Sequence, residues 1–287
     1  MRAPARLAAF AAVAAVAFAG AAAVGAALPS LREPGEGGHG HGALAADGHS
    51  AGHSAAATTG LAVAEGGYAM APDAATLPLG RETSFAFRIA GPDGRPVTDL
   101  DIAHERRMHL IVVRRDLSGY QHLHPSLGPD GRWRVALALP RAGVYRAFAD
   151  FRVAGRPVTL ATDLFVGGPF RPVALPAPAA ADRSGAYRAE LAAPRLAAGR
   201  PAVLAYALSR GGRPLDGVQP YLGADGHLVA LREGDLAFAH LHPEESGTPG
   251  TIRFAADLPS PGRYRLFLQF RHDGRVRTVA HTVEVGR

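Results

Sequence analysis

The sequence predicts an all-β protein: two tandem antiparallel β-sandwich domains after an N-terminal hydrophobic helix. Three observations carry this. Apolar runs of period two recur between turns rich in Gly, Pro and Asp. The text of the first such unit returns about 118 positions later. Positions 7–31 contain no charge and follow Arg2 and Arg6, as in an export signal.

Taken in order, 1–31 reads as a signal peptide or a membrane anchor. A cleaved signal ends near the small residues of 21–27. An uncleaved helix is long enough to span a bilayer and leaves its basic start inside. The chain has no cysteine, so a lipoprotein anchor is excluded here, as are disulfides and thiolate metal sites. Either way the remainder is expected outside the cytoplasm. Positions 32–60 are Gly, Ala and Ser with His39, His41, His49 and His53, a flexible linker that cannot build a core. Its histidines are weak metal candidates, or incidental members of a polar tether.

Positions 61–168 form the first domain. Phe85, Phe87 and Ile89 alternate with small or polar residues, the mark of a half-buried strand. A hairpin follows, with strands at 109–113 and 120–124 around the polar turn 116–119. Further strands are expected at 133–139, 144–153 and 157–166, giving roughly seven in a sandwich. Positions 169–182 hold Pro169, Pro172, Pro176 and Pro178, an extended and stiff linker. Positions 183–287 repeat the first domain: Tyr187 answers Tyr68, Tyr206 answers Phe87, and Tyr264, Phe267 and Phe270 answer Tyr145, Phe148 and Phe151. Phe85, Phe87, Trp133, Tyr145 and Phe148 are expected inside, with Tyr206, Tyr264, Phe267 and Phe270 in the second copy. Gly-X-Tyr at 143–145 and 262–264 resembles the tyrosine corner of immunoglobulin-like sandwiches.

The two hairpins carry the chemistry. MHLIVVRRDLSGYQHLHP at 108–125 returns as GHLVALREGDLAFAHLHP at 226–243. His109, His122 and His124 match His227, His240 and His242, each 118 positions on. If Val113 pairs with His122 and Ile111 with His124, the three imidazoles of each hairpin share a face. Each set then converges on one ion, with His104 and Met108 as further candidates in the first domain. Imidazoles suit Cu(II), Zn(II) or Ni(II). A one-residue slip would put one strand's histidines on the opposite face. Set against the metal reading is a structural one, in which His-X-His-Pro is an edge feature bonded to backbone or packed on Tyr120 and Phe238.

Catalysis is not expected. The cupin spacing is broken in the first copy, prolines stand where a metallo-hydrolase needs an Asp-His pair, and no nucleophile elbow, P-loop or dinucleotide fingerprint is present. The net charge of +6 comes from arginines scattered through strands and turns, so no nucleic-acid partner is expected.

GGYAMAP at 66–72, FAFRIAGPDGRPV at 85–97 and the MHLIVV…HLHP hairpin resemble YtkA-like domains, extracytoplasmic immunoglobulin-like modules of bacteria. The second unit resembles the companion domain of secreted actinobacterial tandem proteins. That resemblance implies two immunoglobulin-like domains and a loose association with copper handling, and it supplies no ligand set. The sequence thus leads to an exported, membrane-tethered or secreted, non-enzymatic protein that binds a divalent transition metal, copper first, as a buffer or chaperone. The alternative is an extracytoplasmic interaction or structural module whose histidines are structural and whose protein partner the sequence does not name.

Overall fold

The computed structural model describes residues 59–287. The hydrophobic segment at 1–31 and the candidates His39, His41, His49 and His53 lie outside the described residues. Within them the chain is all-β and contains no helix.

The first repeat has ten strands: β1 (Ala64–Glu65), β2 (Tyr68–Pro72), β3 (Thr76–Leu77), β4 (Thr83–Ala90), β5 (His109–Arg114), β6 (Gln121–Leu123), β7 (Ser126–Leu127), β8 (Trp133–Leu137), β9 (Gly143–Val153) and β10 (Arg156–Val166). The second has nine: β11 (Ala181–Ser184), β12 (Tyr187–Ala192), β13 (Ala202–Arg210), β14 (Arg213–Pro214), β15 (His227–Arg232), β16 (Phe238–Glu244), β17 (Thr251–Ala256), β18 (Gly262–His272) and β19 (Arg275–Val285). The excess over seven comes mainly from two-residue pieces such as β1, β3 and β7.

In the first repeat one sheet runs β1-β2-β4-β8-β7 and the other β3-β10-β9-β5-β6. The paired strands are antiparallel except β3, which lies parallel to β10. The chain changes sheet at His124 and Pro125, between β6 and β7. Pro125 has no N–H to donate to either ladder, so the crossing leaves no amide unpaired there. In the second repeat β16 makes the same crossing unbroken. Leu241 pairs with Leu228 in one sheet and His242 with Ala255 in the other.

Each repeat closes over its own core. Phe85, Phe87, Trp133 and Tyr145 pack together in the first, and Tyr206, Phe254, Tyr264 and Phe270 in the second. Tyr145 Oη donates to Arg141 O at 2.9 Å and Tyr264 Oη to Ser260 O at 3.0 Å, the same corner built twice.

Phe148 and Phe267 are buried as expected, but outside these cores. They belong to a third apolar cluster between the repeats, with Ile111, Val113, Val229, Leu231 and Phe238. Its contacts are reciprocal. Tyr120 stacks on Phe267 at 4.1 Å, and Phe148 meets Phe238 at 5.4 Å. Tyr120 and Phe238 are equivalent positions, as are Phe148 and Phe267. The repeats therefore meet as the halves of a two-fold dimer do, the same patch on both sides.

Residues 59–62 seal this junction. Thr59 exchanges two bonds with Phe238 of the second repeat, while Gly60 O and Leu61 O accept from buried Arg146 of the first. Gly60 has φ 70, and a Cβ there would lie 2.8 Å from the Phe148 ring.

Candidate functional site at the junction

Every residue of β5 is buried. Leu110 and Val112 point into the sandwich, so by the two-residue period His109, Ile111 and Val113 point into the junction. The hairpin pairs Ile111 with His122 and Leu110 with Leu123, two residues from the expected register. The turn causes the shift. Leu117 adopts φ 63 and Gly119 φ 67, while Asp116 Oδ1 accepts from Ser118 N at 3.2 Å, so the bend centres one residue earlier. A shift of two preserves the face. His109, His122 and His124 therefore come together, with ring centroids 4.8 to 5.3 Å apart.

The second hairpin shows the same shift, Val229 opposite His240. Of its histidines, His227 and His242 have described side chains. His227 turns across the junction, its ring 4.6 Å from His122 and 5.9 Å from His109, stacked on the latter. His242 is exposed, because β16 has already crossed to the other sheet. The His240 side chain lies outside the described residues. Among the described side chains the histidines that come together are thus drawn from both hairpins, because the two hairpin faces are pressed against each other. One ring nitrogen from each of His109, His122 and His227 lies within 4.8 Å of the others. His104 stands beside them, 6.1 Å from His109 and 6.0 Å from His227. Met108 is placed differently from expectation: it precedes His109 on the strand, faces the other way and packs in the first core, 1% exposed.

The His109 and His122 rings each meet two partners through their nitrogens. His109 Nε2–H donates to Ala103 O at 3.0 Å. His122 Nδ1–H donates to Gln269 Oε1 at 2.7 Å, and Gln269 Nε2–H to Thr278 Oγ1 at 3.2 Å. His109 Nδ1 and His122 Nε2 are left facing each other at 3.0 Å. With the Gln269 amide oxygen toward His122, each neutral imidazole has its one N–H committed elsewhere, and two lone pairs converge on one point. With the amide turned, His122 Nε2–H donates to His109 Nδ1 instead. In the first arrangement a further proton between the two nitrogens would be a buried charge. The His122 pKa is pushed down to about 3, chiefly by burial and then by His109 and His124. His124 is pushed down to about 4, by burial first, then His109 and Arg106. Its Nε2 is buried with no hydrogen-bond partner among the described residues. The arrangement suits a cation that accepts lone pairs.

Sequence reasoning missed Gln269, Thr278 and Asp150. Asp150 and Gln269 are equivalent, paired on the ladder with His109 and His227. Thr159 Oγ1 donates to Asp150 Oδ1 at 2.7 Å, as Thr278 holds Gln269. The available signal was a lone carboxylate and a lone amide at matched positions of strands whose other charged residues are arginines.

No curated protein matches the sequence. Among solved structures the chain is similar to the Escherichia coli adhesin FdeC, with 13% identity, TM-score 0.26, and coverage of 77% of this chain and 64% of that one. A Salmonella alpha-2-macroglobulin shows 15% identity, TM-score 0.28, and coverage of 80% and 15%. Invasin, a bacterial integrin-binding protein, shows 16% identity, TM-score 0.25, and coverage of 76% and 38%. The chain thus spans between 15% and 64% of the length of these three proteins. The family match is far more extensive: residues 62–168 and 180–287 each match one family, and by these two copies the chain belongs to the family described as Domain of unknown function (DUF8832).

Proposed function

We propose that this protein is an extracytoplasmic metal-binding protein that holds one divalent transition ion between its repeats, as a buffer or chaperone. The observation that supports it is the pair of imidazole nitrogens facing each other at 3.0 Å, with both N–H groups directed elsewhere when the Gln269 amide oxygen faces His122. Bonds of about 2.0–2.1 Å to one ion set ligand nitrogens roughly 3 Å apart. His227 and His124 complete the donor set. Copper comes first, because imidazole sites favour Cu(II) over the other divalent first-row ions, with zinc or nickel next. A blue-copper centre is excluded, since its cysteine is absent. The resemblance of the first repeat to YtkA-like domains points the same way, and export rests on the uncharged run at 7–31. If that segment is uncleaved, the protein is tethered to the membrane.

The test is calorimetry with Cu(II) and Zn(II) on the chain with its four linker histidines changed to Ser. One ion per chain is expected, with His122→Ala weakening binding at least 100-fold. A competing reading takes the His109–His122–Gln269 chain as a structural bond network clamping an interaction module. It requires that His122→Ala lower the melting temperature while the parent titrates no ion. That result would overturn the proposal.

A further inference from the structure

A cavity of about 420 Å³ opens against the histidine cluster and reaches His109, itself 2% exposed. Two more histidines line it, half-buried His104 and exposed His242. The three imidazoles of its wall thus differ in exposure, from exposed His242 through half-buried His104 to buried His109, a residue of the cluster. Three carboxylates and three arginines line it too, so its field is balanced. Of the carboxylates, Asp257 keeps a buried Oδ1 with no hydrogen-bond partner among the described residues.

His104 is held there by strained backbone. It sits at the tip of a turn closed by Ala103 N–H to Arg106 O at 2.8 Å and Arg106 N–H to Ala103 O at 3.0 Å. His104 and Glu105 both take left-handed conformations, φ 48 and φ 62. The equivalent turn in the second repeat has Leu222 and Gly223, at φ 58 and φ 80. Two successive side chains in this region cost on the order of 1–2 kcal/mol each, and glycine relieves the strain. Both repeats keep a side chain at the first of these positions, and the first repeat, with a histidine there facing the cavity, keeps one at the second as well.

Resting on the metal reading above, we infer that this cavity is the path by which the ion reaches and leaves the junction, with His242 and then His104 as outer stations. A divalent ion cannot shed its water into an apolar wall, because an uncompensated buried charge costs tens of kcal/mol. Neutral imidazoles supply replacement donors. His104, about 6 Å by ring centre from both His109 and His227, is placed to pass the ion to either.

Stopped-flow loading of the full chain with Co(II) tests this, read by the visible band of the buried site. Asn tolerates the left-handed region, so His104→Asn keeps the turn, and His242→Gln is made at an exposed position. The double variant should load at least 10-fold more slowly and release the ion more slowly by the same factor. Its Kd should not change, since a path sets both rates and not the equilibrium. Unchanged rates would overturn the inference, as would a raised Kd with unchanged loading, which would make these residues ligands of the final site. A parent chain with no such band would instead defeat the metal reading, and this inference with it.

Discussion

Neutral imidazole is the form that donates a lone pair, and His122 keeps that form far into acid. Its ring takes up a proton at about 3 in the fold, against 6.5 for the ordinary side chain. Between those values the unfolded chain binds the proton and the folded chain does not, so stability falls as pH drops. The loss for this ring is about 1.4 kcal/mol per pH unit. His124 adds in the same direction, weakened by its greater exposure to solvent. Urea midpoints should therefore fall steadily from pH 6.5 to 4, and His122→Gln should flatten the slope. Equal slopes in the two proteins would place the acid sensitivity elsewhere. Gln269 orients the ring from the other repeat. Gln269→Met should cost about 10–100-fold in metal affinity, the usual range for an outer-sphere partner. A titration matching the parent's would remove Gln269 from the site.

Strands β5 and β9 are covered on both faces, which explains what the sequence does and does not disclose about them. Period-two alternation is enough to identify the sandwiches, the duplication and the buried aromatics. It does not say what covers a face, because an apolar face reads alike whether it meets its own sheet or a neighbouring domain. Phe148 and Phe267 are therefore recognisable as buried and unrecognisable as junction residues. The unbroken apolar run of β5 was the clue, since strands covered on one side alternate and strands covered on both do not. The histidine face followed from the parity of the hairpin, while its register, set by Leu117 in a left-handed conformation, did not. Phe148→Ala should cost about 3–5 kcal/mol although it leaves both sandwich cores intact. Thermal unfolding should show the loss, and a melting temperature within a degree of the parent would deny the junction its role. Gly60→Ala should destabilise as well, being strained in φ and obstructed by the Phe148 ring.

At the level of the whole molecule, His109 and His122 come from one repeat and His227 from the other, so neither repeat alone holds the cluster. Residues 59–168 and 180–287 produced separately should each bind Co(II) at least 100-fold more weakly than the joined chain. Full affinity in either half would return the site to a single domain. A periplasmic-type reporter fused after Gly60 should be active, and activity confined to a cytoplasmic reporter would refute export. The reciprocal junction has one more consequence. In a homodimer of a single repeat, every substitution is made twice, and charge beside the axis changes only in steps of two. Asp150 would face a second carboxylate, or an amide would face a second amide. Joining the halves in one chain removes that restriction. Asp150 stands at one of the matched positions and Gln269 at the other, so the pair brings a single carboxyl group beside the imidazoles. A self-pairing half-molecule could reach only zero or two.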